Sequence, residues 1–165
     1  MLIEVSKEDE EKAREIMKDA REFFKAKRML NGRAFVGQGN GLQYDGVLAE
    51  LVVARYFKAK HNDINGFDKG VDLTLPTGLT VDVKTIRRDS KYLLEFPNDI
   101  EKKLNDAYFI ATWFDGKIKL LAWIRRDLFI QRARTGDFGY GKRLFMNKNE
   151  MNQDFEVFKE ITAWD

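Results

Sequence analysis

The chain contains no cysteine and only one histidine, His61. Disulfides and thiolate metal sites are therefore excluded, and a zinc centre of the usual His/Cys kind lacks its ligands. Any bound metal must use oxygen donors or a single imidazole. No run approaches the ~18 apolar residues that span a bilayer, so no membrane association is expected. Met1-Leu2-Ile3-Glu4-Val5 turns acidic at once and shows no secretory signal, which makes a cytoplasmic location the expectation. Internal repeats and low-complexity tracts are absent. The glycine-rich stretch from Asn31 to Gly41 lacks the Lys-Ser/Thr ending of a nucleotide-binding loop. It reads as a mobile loop, and a candidate to lie on a substrate, not as an ATP site. A large excess of either charge is also missing: 29 basic residues face 27 acidic ones, for a net charge of +2 and a pI of about 8.7. That balance permits nucleic-acid binding without demanding it.

What is present is a chain of 165 residues, 44% hydrophobic and 34% charged. That is one domain, long enough to bury a core. The informative stretch runs from Gly70 to Arg88. Gly70–Leu75 and Leu79–Arg88 are short runs rich in Val, Leu, Ile and Thr, and Pro76-Thr77-Gly78 between them predicts a hairpin. Side chains alternate on a strand, so Leu79, Val81 and Val83 point one way while Thr80, Asp82 and Lys84 point the other. Pairing across the turn brings Asp72 near Asp82. Taken alone, Asp82 and Lys84 also fit a surface ion pair worth at most about 1 kcal/mol.

Residues 43–57 predict a largely buried helix, with Asp45 at its positive end. Glu50 stands in its middle among Val47, Leu51 and Ala54. A carboxylate in that setting requires a cation, a metal or a hydrogen-bond partner. It reads either as half of a buried ion pair or as a metal ligand or base.

Glu50 on a helix, Asp72 on a strand and Asp82-Val83-Lys84 on the hairpin partner resemble, in order and spacing, the motif of the PD-(D/E)XK nuclease superfamily. The resemblance covers roughly residues 43–124. Val71 stands where the superfamily's name places Pro, and the second acid is Asp in place of the commoner Glu, one methylene shorter. The resemblance implies an α/β fold of the restriction-endonuclease-like kind, also seen in Holliday-junction resolvases: a mixed central sheet flanked by helices in one domain. It implies Mg²⁺- or Mn²⁺-dependent hydrolysis of DNA phosphodiester bonds, with endonuclease action favoured over exonuclease. Glu50, Asp72, Asp82 and the backbone carbonyl of Val83 would hold the metal, and Lys84 would orient or deprotonate the attacking water. DNA is the implied partner. A homodimer is a further candidate, since small members pair to cut two strands.

The remaining chain supplies candidate phosphate contacts. Arg87, Arg88 and Lys91 form a basic exit from the motif strand. Arg132, Arg134, Lys142 and Arg143 gather near Tyr140, which is available for stacking; a solvated helix face and loop edge would give the same residues. Ser6 with Glu8, Asp9 and Glu10 predicts the capped, acidic start of an amphipathic helix over 7–30. Lys58–Lys69 reads as a polar loop with His61 exposed, and its Asp63 and Asp68 rival Asp72 as the first acid. Tyr92–Phe96 predicts a strand. Asp106–Phe114 and Lys117–Ile124 predict a hairpin about Asp115-Gly116 that joins the central sheet and buries Trp113 and Trp123. Arg125–Arg134 reads as helix, Gly136–Arg143 as loop, and Asn149–Ile161 as a closing turn or helix. Two rivals to the enzyme stay open: a binding module of the same fold without catalysis, and an α/β interaction protein in which Glu50, Asp82 and Lys84 form a structural ion-pair network.

Overall fold

Thr80–Thr85, the strand predicted to carry Asp82 and Lys84, runs through the middle of the principal sheet. A computed structural model describes residues 1–31, 40–62, 71–86, 90–95, 100, 104–139 and 141–162, with the side chains of all but 20–31, 40–43, 161 and 162. Nine strands are described: β1 (Leu2–Glu4), β2 (Lys60–His61), β3 (Leu73–Thr74), β4 (Thr80–Thr85), β5 (Tyr92–Glu95), β6 (Ala107–Phe114), β7 (Lys117–Arg125), β8 (Arg134–Asp137) and β9 (Lys142–Asn147). Four α-helices accompany them: α1 (Lys7–Asn31), α2 (Asn40–Phe57), α3 (Arg126–Arg132) and α4 (Phe155–Thr162). The fold is mixed α/β. The first sheet has six strands in the order β1-β7-β6-β4-β3-β2, and the second has three in the order β5-β9-β8. Only the β4–β6 pair is parallel in the larger sheet. No described helix is long and apolar enough to cross a membrane.

Both predicted hairpins form. Pro76-Thr77-Gly78 turns β3 into β4, with Gly78 at φ 86°, a conformation that disfavours residues bearing a Cβ. Asp115 and Gly116 take φ values of 49° and 73°, so the β6–β7 turn has the doubly left-handed geometry that suits the twist of paired strands. Side-chain alternation on β4 then sorts two cores. Val81 and Val83 face α2, packing with Ala49, Val52, Val53 and Phe109. The opposite face of β6 and β7 carries Tyr108, Ile110, Ala122 and Ile124, which pack with Leu93 of β5, Met146 of β9 and Phe129 of α3. The small sheet therefore covers the face of the large one from which Asp82 and Lys84 project.

Several sequence expectations change. Trp123 is buried and donates its indole N–H to the Asp154 carbonyl at 2.8 Å, but Trp113, near the tip of the β6–β7 hairpin, is 38% exposed. Arg134 is not helical, because α3 ends at Arg132 and β8 begins two residues later. The expected glycine and aromatic loop is instead the hairpin of β8 and β9, which carries Lys142 and Arg143 on a strand. Tyr92–Glu95 forms a strand as expected, and β9 is its partner. Gly32–Gly39, Asp63, Asp68, Arg87, Arg88 and Tyr140 lie outside the described residues.

The predicted cap at Ser6 forms. Its hydroxyl accepts from the Asp9 amide at 3.0 Å, and the Asp9 carboxylate accepts from the Ser6 amide at 2.9 Å. Asp9 does more than favour the helix dipole, because the Arg55 guanidinium of α2 donates to it at 2.8, 3.0 and 3.2 Å and so ties α1 to α2. Burial would raise the Asp9 carboxyl, but the Arg55 and Ser6 bonds outweigh it and hold the group below its ordinary value. Its contribution is thus present above the unfolded pKa of about 3.9 and lost as pH falls through the folded value. Asp9→Ala is expected to lower stability by roughly 1–3 kcal/mol at neutral pH, the size of a lost charged hydrogen bond. The difference in urea midpoint from the parent protein should shrink as the buffer is acidified.

Candidate functional site

The ladder between β3 and β4 is short, and its end makes the site. Leu73 pairs with Val81 and Thr74 with Thr80. The Asp72 amide still reaches the Val81 carbonyl at 3.0 Å, but beyond this point the strands part. The next outward amide of β4, at Val83, is taken by the Asp72 side chain, whose Oδ2 accepts it at 2.6 Å. A carboxylate thus substitutes for the missing strand at the place where the sheet opens. Asn62 fixes the approach: its amide donates to the Asp72 carbonyl at 2.8 Å, and its side chain donates to the Val71 carbonyl at 3.1 Å and Thr74 Oγ1 at 3.2 Å.

Two other acids act on Asp72 from different elements, and a third meets Lys84. Asp82, 0% exposed, lies on the second-sheet face of β4 in register with Tyr108. Glu50 comes from α2, which covers the other face. Asp72 sits where both are felt. Burial, then the charges of Glu50 and Asp82, hold its carboxyl well above the ordinary range, against the weaker opposing pull of Lys84 and the Val83 amide. The fourth acid, Glu95, is carried by β5 of the small sheet and is 4% exposed.

Among the described residues, one ammonium stands with them. Lys84 Nζ is 2.7 Å from Asp82 Oδ1 and 3.5 Å from Glu95 Oε1. Burial alone would lower the pKa of Lys84, but Asp82, Glu95 and Asp72 together drive it above its ordinary value, so the side chain stays charged. Tyr108 closes the floor. Its hydroxyl is pushed above its ordinary value by burial and by the charges of Glu95 and Asp82, with Asn105 and Lys84 acting the other way.

Glu50, Asp72, Asp82 and Lys84 are thus brought to one neighbourhood, and Val83 donates its amide there. His61 departs from expectation. Its side chain is 4% exposed, it lies on β2, and its Nε2 is 2.9 Å from Glu50 Oε2. A lone His in a polar segment looked solvated because the two-residue β2 has too few residues to show alternation. Glu95 went unmarked, although a signal existed: it shares a strand face with Leu93 by period two, and Leu93 is buried. Tyr108 lies in an apolar run and looked like ordinary core.

The basic candidates among the described residues are not gathered on one surface. Lys91 precedes β5 and is exposed, and Arg132 ends α3. Register and alternation put Arg134 and Arg143 on one face of the small sheet and Lys142 on the other. Arg134 is paired with Glu150 at 2.7 Å and lies over the Phe145 ring.

Among the described residues, Asp82 and Glu95 contact the Lys84 ammonium, Asp72 feels Glu50 and Asp82, and His61 meets Glu50. That is an excess of oxygen donors and of negative charge, which suits a hard divalent cation such as Mg²⁺ or Mn²⁺. Among the described residues, no three His, Asp or Glu side chains are so grouped that they could hold a metal ion as they stand. The acids instead meet protein partners: Glu50 with His61, Asp72 with the Val83 amide, Asp82 and Glu95 with Lys84. A cavity of about 350 Å³ lies at another part of the sheet, lined by Leu79, Asp106, Trp123, Arg125, Arg126 and Phe158, and none of the four acids borders it. Comparison of the chain with protein-family models and with curated proteins finds no match to either.

Proposed function

We propose that the protein is a metal-dependent nuclease of the PD-(D/E)XK type that hydrolyses DNA phosphodiester bonds, with a restriction-endonuclease-like fold. One observation carries the reading. Asp72, at the opening of the sheet, is held above its ordinary pKa by burial and by Glu50 and Asp82, while Lys84 leans on Asp82 at 2.7 Å. An acid that stabilises the fold through an ion pair has its pKa lowered by that pair; Asp72, buried beside two further carboxylates, goes the other way. An arrangement that works against the fold is the usual mark of a site built for a ligand. This favours the nuclease reading over a structural ion-pair network.

In this reading Asp72, Asp82 and the Val83 carbonyl would hold Mg²⁺ or Mn²⁺, with Glu50 beside them. The cation, when bound, supplies positive charge to the scissile phosphate and acidifies a bound water. Asp72 keeps its Val83 bond and so fixes the width of the opening. Lys84 remains an ammonium under the combined field of Asp82, Glu95 and Asp72. It acts by charge, orienting water and countering the negative charge that develops on phosphate oxygen, in preference to accepting a proton. His61 meets the Glu50 carboxylate at 2.9 Å and so limits its rotamers.

The test is incubation with plasmid, linear and branched DNA in Mg²⁺, Mn²⁺ or EDTA. Cutting in the metal samples and none in EDTA is expected. Intact DNA of all three kinds with both ions would overturn the enzyme. Metal-independent DNA binding without cutting would instead support the binding module.

A further inference from the structure

We propose that Glu95 is a positioning residue that holds the Lys84 ammonium in the site by an anchor independent of Asp82; this rests on the nuclease reading. Glu95 plays no part in the resemblance that marks Glu50, Asp72, Asp82 and Lys84. It stands on β5, in the smaller sheet, while Asp82 and Lys84 stand on β4 of the larger one. Its side chain is turned inward beside Leu93 and is 4% exposed, with Oε1 3.5 Å from Lys84 Nζ.

The need for such an anchor follows from chemistry. Lysine is a point charge on a flexible four-carbon stem, and here 32% of the side chain remains open to solvent. Its nearer partner, Asp82 at 2.7 Å, is only two residues away on the same strand. Asp82 is also the acid whose oxygens the nuclease reading assigns to a divalent cation. A carboxylate that neutralises another cation attracts an ammonium less. With Asp82 as its sole anchor, Lys84 would swing to solvent at the stage when the reaction requires it. Glu95 is outside the Glu50–Asp72–Asp82 set and comes from a separate element, so its hold persists. The smaller sheet thereby gains a role beyond covering apolar surface: it delivers one buried charge to the side chain it overlies.

Glu95→Gln keeps the shape and removes the charge. With Mg²⁺ and linear DNA, kcat is expected to fall about 10- to 100-fold, the range seen when a residue orienting an active-site group is lost, with KM within about twofold. Glu95→Asp should recover part of the rate. In a Lys84→Gln background, with rates compared per folded molecule by circular dichroism, Glu95→Gln should change the rate by less than about twofold, because the residue acts through Lys84. The NMR signal of the Lys84 ε-methylene should move in Glu95→Gln and stay in place in Glu156→Gln, a control on the exposed α4 pair with Lys159. Full activity of Glu95→Gln, an equal loss in both backgrounds, or an unmoved Lys84 signal would each overturn the inference while leaving the nuclease intact. Absence of cutting by the unsubstituted protein would overturn the nuclease reading and this role with it.

Discussion

Asp82→Asn is expected to lower the single-turnover rate of DNA cleavage in Mg²⁺ by about 10²–10³-fold or more, while the protein stays folded. The size follows from removing charged groups preorganised around a reacting phosphate, each worth several kcal/mol of barrier. The fold should tolerate the change because Asn matches Asp in volume, and because Lys84 retains Glu95 as a partner at 3.5 Å. DNA affinity measured by fluorescence anisotropy in Ca²⁺ should remain within about threefold, since phosphate contacts made by basic side chains set most of the affinity. Lys84→Ala is the less informative variant. It strips the ammonium from Asp82 and Glu95, both buried, and uncompensated buried charge costs about 3–5 kcal/mol. Its loss of activity would therefore mix chemistry with unfolding. Asp82→Asn cutting at the parental rate would exclude Asp82 from the reaction. A fall in melting temperature with cleavage unchanged would return the residue to the structural network.

Much of the candidate site could be read from alternation and residue order together with the resemblance those residues carry. The Leu79–Thr85 run fixes Asp82 and Lys84 on one face because neighbouring Val81 and Val83 must be buried, and the structure buries both. Glu50 was legible as a polar residue in an otherwise apolar helix, and Asp115-Gly116 as a turn that only left-handed φ values satisfy. The rest depends on tertiary placement. Glu95 and His61 sit on strands of four and two residues, whose partners β9 and β3 determine which side faces inward. Nothing local tells β5 to join a second sheet in place of the first. The same holds for Arg134, Lys142 and Arg143: their clustering in sequence suggested one surface, but a β-hairpin sends alternate residues to opposite sides. Asp9 had two possible uses, dipole and pairing, and only the packing of α1 on α2 selects Arg55.

Asp72→Asn should abolish cleavage to a degree comparable with Asp82→Asn and, at neutral pH, make the protein more stable. The reason is the direction of the Asp72 pKa. Burial, then repulsion by Glu50 and Asp82, raise the carboxyl in the folded state, so the fold binds its proton more tightly than the unfolded chain does. The stability this confers is complete below the unfolded value of about 3.9 and is lost as pH rises through the folded value. Above that, an ionised Asp72 opposes the fold. Asparagine cannot ionise, yet its oxygen can still accept the Val83 amide that Asp72 holds at 2.6 Å. The melting temperature of Asp72→Asn should thus exceed the parent's at pH 7–8 by about 2–4 °C for each 1 kcal/mol relieved, and the gap should close near pH 4. Mg²⁺ should act on the parent in the same direction as the substitution: at ten times its Kd a ligand adds about 1.4 kcal/mol, and Asp72→Asn should gain less. A variant that melts below the parent at neutral pH, with cutting unaffected, would mean that Asp72 serves the hairpin alone. The opposite pattern, higher stability with lost cleavage, ties the electrostatic strain at the sheet opening to the chemistry done there.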